Sequence, residues 1–268
     1  MKNETAILNY REMLPASEIK HLVYCFWEFS IADELPTPLM HEIFPDGCVS
    51  LIYRRNKKAN LDFLLSAGLT LEPMKKEVFP GDLLWGVKFA PSASRVILKM
   101  NPAKIETRPI FENNFLPHLT EGLLEKFKPC DNFENAVEIF RRKILSLEIS
   151  RDETDEKISE AVELIIKTKG EIKIADAAEN SGLSIRQLQR RFQKASGLTP
   201  KQFVRIQRFR ASAMKLAKEN APKLVDVALE MGFTDQAHLT REFASITGRS
   251  PKSFAENVKK IGFGDLIE

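Results

Sequence analysis

At 268 residues and 43% hydrophobic content, the chain is long enough for one large or two ordinary domains with cores of their own. No apolar run approaches the length that spans a bilayer, and the polar start MKNETAILNYREMLPA argues against a signal peptide. Cys25, Cys48 and Cys130 form an odd set without close pairing, which points to free thiols and a cytoplasmic protein, while a net charge of +3 says little as a total.

The first hundred residues read as strands. In VYCFWEF, Val23, Cys25, Trp27 and Phe29 alternate onto one face, with Tyr24 and Glu28 on the other. Pro45–Gly47 is a turn signal before the β-rich CVSLIY, Phe79–Asp82 is another, and RVILKM (Arg95–Met100) reads as a further short strand. Pro and Gly recur between short runs, as in a sandwich or barrel. Trp27, Trp85 and Phe89 are candidates to line a small-molecule pocket, although aromatics at strand spacing also serve as plain core. His41 with Cys48 offers two zinc ligands and nothing nearby supplies the other two, so neither a metal nor a cofactor is expected.

The pattern then turns helical. Phe133, Val137, Phe140, Ile144 and Leu147 keep a four-three spacing, which suits either packing on the N-terminal body or a dimer helix. The polar SRDETDE, Ser150–Glu156, reads as an interdomain linker. From Lys157 onward the sequence reads as short helices and turns.

Charge is distributed unevenly. Residues 1–150 carry 19 Lys+Arg against 20 Asp+Glu, whereas Asn180 to Lys218 holds no acid at all. That stretch contains Arg186, Arg190, Arg191, Lys194, Lys201, Arg205, Arg208, Arg210, Lys215 and Lys218. A solvated helix face normally mixes signs, so a single-sign block of this length is expected to face a polyanion.

The same region is written twice. GLSIRQLQRRFQKASGLTPKQF places Leu188, Phe192, Gly197, Thr199, Pro200 and Phe203, and these recur 51 residues on as Leu239, Phe243, Gly248, Ser250, Pro251 and Phe254. Ala178 and Gly182 recur 50 residues on as Ala228 and Gly232, with Thr234 absorbing the slip. Ser184 with Gln187 is a capping-box start, and Asp235 stands at the matching N-cap. Each copy is therefore helix, glycine turn, capped helix. In the first copy Ile185, Leu188, Phe192 and Ala195 share a core side, and Arg186, Gln189, Arg190 and Gln193 share another. Arg suits guanine O6/N7 and Gln suits adenine N6/N7.

With these motifs, residues from about Lys157 to Asn257 resemble the DNA-binding domain of the AraC/XylS family of bacterial transcription regulators. VALEMGFTDQAHLTREFASITGRSPKSF is similar to the family's signature, departing from it in Leu239, where Phe is frequent. The resemblance implies two helix-turn-helix units joined by a long helix, roughly Pro200 to Ala217, each placing its second helix in the major groove. By position it implies base reading by Arg186, Gln189 and Arg190, then by Gln236, Ala237, His238, Thr240 and Arg241. Ser184, Lys194, Lys201, Arg205, Lys215 and Arg249 are the candidates for phosphate contact, and Glu242 is expected to face away from the groove. HEIFPDGCVSLIY and FPGDLLWGVKFAPSA are similar to the N-terminal domains of one AraC-type subgroup, which suggests a cupin-like β-barrel that senses an effector or dimerises.

The expected class is α+β, with a cupin-like sensing domain over 1–112, a helical segment and candidate dimer element over 113–149, a linker over 150–156, the DNA-binding domain over 157–258 and a tail over 259–268. The partners implied are double-stranded DNA and an unidentified small-molecule effector, with RNA polymerase and a second copy of the chain as further candidates. A fragment from Arg151 to Glu268 is expected to fold and bind DNA alone. The rival reading, a cupin-like enzyme fused to a DNA-binding domain, finds no nucleophile elbow, metal cluster or phosphate loop, and no catalytic residue is assigned. A nucleoid protein that reads no sequence would not need Gln189 and Thr240 in register with Arg190 and Arg241.

Overall fold

The computed structural model describes residues 8–34, 37–110, 116–149, 154–218 and 223–261, so most of the expected linker (150–153) and of the tail (262–268) lies outside the described residues. The N-terminal strands are β1 (Leu8–Met13), β2 (Val23–Ile31), β3 (Leu39–Ile43), β4 (Ser50–Asn56), β5 (Leu61–Ala67), β6 (Met74–Val78), β7 (Leu83–Phe89) and β8 (Arg108–Ile110). An antiparallel sheet runs in the order β1-β2-β7-β4-β5-β8, and β3 pairs with β6 alone. The two sheets face each other without strand pairing between them, so the expected barrel is open.

Strand period explains how one sheet serves two cores. Phe26, Leu51, Tyr53, Leu64, Trp85, Val87 and Phe89 point to one side, into a core shared with the helices that follow. Trp27, Phe29, Ile52, Leu65 and Leu84 point to the other, toward the small sheet. A bulge between Val23 and Cys25 corrects the simple alternation: Val23 joins Phe26 in the first core, on the face opposite Trp27 and Phe29. The Phe79–Asp82 turn is held by buried Asp82, which accepts from the Phe79 N–H (2.9 Å) and the Asn56 amide (2.9 Å) and pairs with Arg54 at 2.5 Å.

Arg95–Met100 is not a strand. Ser94–Leu98 forms a short helix, α1, with Ile97 and Leu98 buried. An apolar run this short does not distinguish helix from strand by period, and here tertiary packing decides. After a 3-10 turn at Pro102–Lys104 come α2 (Pro117–Thr120), α3 (Leu123–Phe127) and α4 (Phe133–Leu145). The α4 stripe packs on the sheet: Phe140 lies 6.3 Å from Phe26 and 4.8 Å from Phe127, ring centre to ring centre, with Phe133 and Ile144 buried beside it. Of the two readings of that stripe, packing on the body is the one it adopts.

The C-terminal half consists of α5 (Glu156–Lys167), α6 (Ile174–Asn180), α7 (Ile185–Ser196), α8 (Pro200–Lys218), α9 (Leu224–Glu230), α10 (Gln236–Thr247) and α11 (Pro251–Ile261). A core of its own joins Ile158, Val162 and Ile165 with Leu188, Phe192, Phe203 and Ile206. The second core is continuous across the two halves: Phe209, Ala213, Phe243 and Phe254 belong to one cluster with Trp27, Phe29 and Ile52. A fragment starting at Arg151 would keep the core around Leu188 and Phe192 and lose the strand-side cover of the one around Phe209 and Phe243.

Gly86 is the close-approach point of the sheet. Trp27 is its cross-strand partner, and a Cβ built at Gly86 would lie 2.2 Å from the indole. Gly86→Ala is therefore expected to displace Trp27 and cost about 1–3 kcal/mol in urea denaturation; an unchanged midpoint with unchanged tryptophan emission would contradict the packing.

Candidate nucleic-acid interface

Each copy of the repeat builds its helix-turn-helix from the same parts. The Ser184 hydroxyl accepts from the Gln187 N–H (3.3 Å), and the Gln187 side chain accepts from the Ser184 N–H (2.9 Å), completing the capping box. Asp235 caps α10 by accepting from the His238 N–H at 2.6 Å. Leu188, Phe192, Ala195 and Ser196 are the buried side of α7, and Leu239, Phe243, Ile246 and Thr247 are that of α10. Ser196 and Thr247 make matching bonds: each hydroxyl donates to the carbonyl four residues back and accepts from the N–H two residues on. Sequence reading passed over this pair, although their 51-residue register was the signal that could have found them.

The opposite sides are open. On α7, Arg186, Gln189, Arg190, Gln193 and Lys194 are exposed, as is the cap Ser184. On α10, Gln236, Ala237 and Arg241 are exposed, and His238 and Thr240 are half-buried. The inserted Thr234 has a local role: its N–H reaches His238 Nδ1 at 3.4 Å, and the imidazole packs edge-on against Phe233, centroids 5.3 Å apart. The Thr240 hydroxyl donates to the Gln236 carbonyl (2.9 Å), which leaves its oxygen as an acceptor and its methyl free. Ile185 is a correction: expected in the core, it is 46% exposed and stands at the position equivalent to Gln236.

The acid-free block does not face outward as a unit. Arg191 pairs with Asp155 at 2.5 Å, Arg205 with Glu242 at 2.6 Å and Lys215 with Glu230 at 2.5 Å. Arg208 donates twice to the Gly170 carbonyl (3.0 and 2.7 Å), with its guanidinium 5.4 Å from the centre of the Phe233 ring. Burial pulls the Arg210 pKa down, but the charge of Asp46 and neighbouring acidic groups more than reverses this. The partners come from outside the stretch in sequence and meet it in space. Among the described side chains of the block, Arg186, Arg190, Lys194 and Lys201 are the exposed cations. Glu242 is turned to Arg205 of α8, and this pair, with Arg208 set between the Gly170 carbonyl and Phe233, ties the first unit to the second. Of the phosphate candidates, Arg205 and Lys215 hold internal pairs here, as does Arg249, which meets Glu42 of β3 at 2.6 Å.

Between the two sheets and α8 lies a cavity of about 320 Å³. Its wall is mainly apolar, with Trp27, Phe29, Ile52, Leu65, Phe44 and Phe209. Trp85 and Phe89, the other two pocket candidates, are core residues on the far face of β7: Trp85 stacks on Tyr53 at 5.7 Å. The polar end is charge-balanced. Lys88 reaches Glu12 at 3.0 Å and Asp46 at 3.4 Å, and Arg210 of α8 lines the same end. Burial disfavours the Lys88 ammonium, yet the surrounding acidic groups more than reverse this and hold its pKa well above the ordinary lysine value. His41 is on the wall, its pKa lowered to about 4 by burial, so it is neutral near pH 7. Cys48 is also on the wall, with burial raising its thiol well above the usual range. Among the described residues no cluster of three His, Cys, Asp or Glu suited to a metal includes them.

Comparison with known proteins gives two family matches: a helix-turn-helix domain over residues 177–257 and a domain of unknown function (DUF6597) over residues 11–110. The probable transcription factor PqrA of Proteus vulgaris is 38% identical over 86 residues, covering 32% of this chain and 70% of that protein. The HTH-type transcriptional activator AarP of Providencia stuartii is 27% identical over 127 residues, 46% of this chain and 92% of that one. The crystal structure of ToxT from Vibrio cholerae aligns over 94% of this chain and 98% of its own at 10% identity, with a TM-score of 0.42, too loose a likeness to carry an argument.

The two kinds of cation separate by stability. Arg208→Ala is expected to cost about 1–3 kcal/mol in urea denaturation, as two charge-assisted hydrogen bonds are lost, while Lys201→Ala should stay within about 0.5 kcal/mol of wild type. Equal effects would mean that Arg208 does not hold the two units together.

Proposed function

The chain belongs to the AraC/XylS family of DNA-binding transcription regulators, and from that premise we propose that one copy reads two consecutive major grooves while its N-terminal half binds a small effector. The observation that carries the first part is the pair of open faces on the two capped helices, on units fastened to each other through Arg205, Arg208 and Glu242. Arg186, Gln189 and Arg190 would read one short sequence; Gln236, Ala237, His238, Thr240 and Arg241 would read another. The residue types differ, so the two half-sites differ too. Ile185, apolar and exposed at the start of α7, suits a thymine methyl. Ser184, Lys194 and Lys201 are placed on exposed surface suited to phosphates.

For the second part, the support is the cavity. Its volume suits a small organic molecule, and its balanced charges favour one that is mainly apolar and carries no strong net charge. The Trp27 indole N–H is buried on this wall with no hydrogen-bond partner among the described residues, and a ligand oxygen there would satisfy it. Since α8 supplies Phe209, Arg210 and Ala213 to the same wall, such a ligand would touch the helix that joins the two DNA-reading units.

Two experiments test these parts separately. On a duplex library selected by the wild-type protein, Arg190→Ala and Arg241→Ala should each cost about 1–3 kcal/mol and relax preference at different base positions; relaxation at the same positions, or none, would refute two-groove reading. In a thermal-shift screen of small metabolites, any compound that raises the wild-type Tm should fail to do so for Ala213→Phe, which fills the cavity from α8. A compound that stabilises both equally binds elsewhere.

A further inference from the structure

The turn that closes each recognition helix meets the N-terminal half in both copies of the repeat. In the first, a Cβ at Gly197 would lie 2.7 Å from the Ala103 backbone and 2.8 Å from Leu69. In the second, both oxygens of Glu42 stand within 2.8 Å of one Arg249 nitrogen. The two contacts differ in kind. Arg249 corresponds to Leu198, which is buried and apolar, so the fold of the unit does not require a cation at this position. Thr247 already fixes the Arg249 backbone, its hydroxyl oxygen accepting from the Arg249 N–H at 3.1 Å. What remains for the guanidinium is to find an anion.

Glu42 supplies one from a segment with wide reach. Two residues on, Phe44 packs between Phe209 (5.7 Å) and Phe254 (5.3 Å). The Asp46 carbonyl accepts from the Gln207 side chain at 3.3 Å, and Gly47 lies against Phe203. Residues 42–47 therefore touch the second unit, the joining helix and the first unit in turn, and Glu42, Phe44 and Asp46 also line the cavity. A recognition helix in a major groove has a phosphate backbone on either side, within reach of an arginine at its end. Carboxylate and phosphate present the same kind of charged oxygen pair to a guanidinium.

We propose that Glu42 is a stand-in for a DNA phosphate: it occupies Arg249 in the docked state, so docking of the β3 segment and full DNA contact by the second unit compete for one side chain. The inference rests on the DNA-reading function proposed above and adds its regulation. An effector that shifts the β3 wall of the cavity changes how firmly Glu42 holds Arg249, and so changes affinity without touching a base-reading residue.

The test is a titration of a duplex selected by the wild-type protein, and of a scrambled duplex, at several salt concentrations, with Glu42→Gln, Arg249→Gln and the double variant. Glu42→Gln should bind the selected duplex roughly threefold to tenfold more tightly near 0.1 M salt, with a salt slope steeper by about 0.9, the signature of one added phosphate contact. Arg249→Gln should abolish that gain, so that the double variant binds like Arg249→Gln alone. Phe44→Leu, which loosens the same segment without changing charge, should also tighten binding. Unchanged or weaker binding by both Glu42→Gln and Phe44→Leu, or a double variant as tight as Glu42→Gln, overturns the proposal. A wild-type protein that does not distinguish the selected from the scrambled duplex overturns instead the DNA-reading function on which it rests.

Discussion

Phe209 lies where three parts of the molecule meet: its ring is 5.7 Å from Phe44 of the N-terminal half, 5.0 Å from Phe243 of α10 and 6.4 Å from Phe254 of α11. The helix that carries it is enclosed along nearly its whole length; from Gln202 to Ala217 no residue of α8 is fully exposed. Phe203, Val204 and Ile206 complete the core of the first unit, while Phe209, Ala213 and Leu216 enter that of the second. A helix packed on several sides cannot turn or slide for one partner without disturbing the others. The separation of the two recognition helices is thus set by core packing as well as by the ion pairs between units.

Enclosure explains the basic block. A helix buried on several sides would ordinarily be apolar, yet α8 carries Arg205, Arg208, Arg210 and Lys215. Arg205, Arg208 and Lys215 are each matched by an acceptor on a different segment, Glu242, the Gly170 carbonyl and Glu230, and Arg210 is favoured by the charge of Asp46. Removing an acceptor would strand a partly buried charge, which is more damaging than never having placed one there. These arginines specify how α8 sits among its neighbours.

The repeat was legible because its parts act locally. Capping boxes, glycine turns and i,i+4 core positions are read within one helix, and Ser184, Asp235, Phe192 and Phe243 stand where their types require. Long-range pairing was not legible in this way. Nothing adjacent to Arg205 announces Glu242, 37 residues away, so a local charge run looked like a surface. The strands were legible as strands, but the side of the sheet to which an aromatic belongs depends on register and bulges: Trp27 faces the cavity, and Trp85 and Phe89 face the other core. Arg95–Met100 reads as a strand for lack of length, and Ile185 reads as core from its helical spacing with Leu188 and Phe192, although its α7 position matches exposed Gln236. The cavity had no sequence signal of its own, since its walls come from both sheets and from α8.

The central claim is that one rigid body presents two different reading faces to one side of the duplex. Guanine-methylation interference on a selected duplex tests it most directly, because N7 methylation blocks major-groove contacts base by base. The account predicts two clusters of interfering guanines on one face, their centres about 10 base pairs apart, for a single bound chain. A single cluster, or two clusters about half a helical turn out of phase, would contradict it.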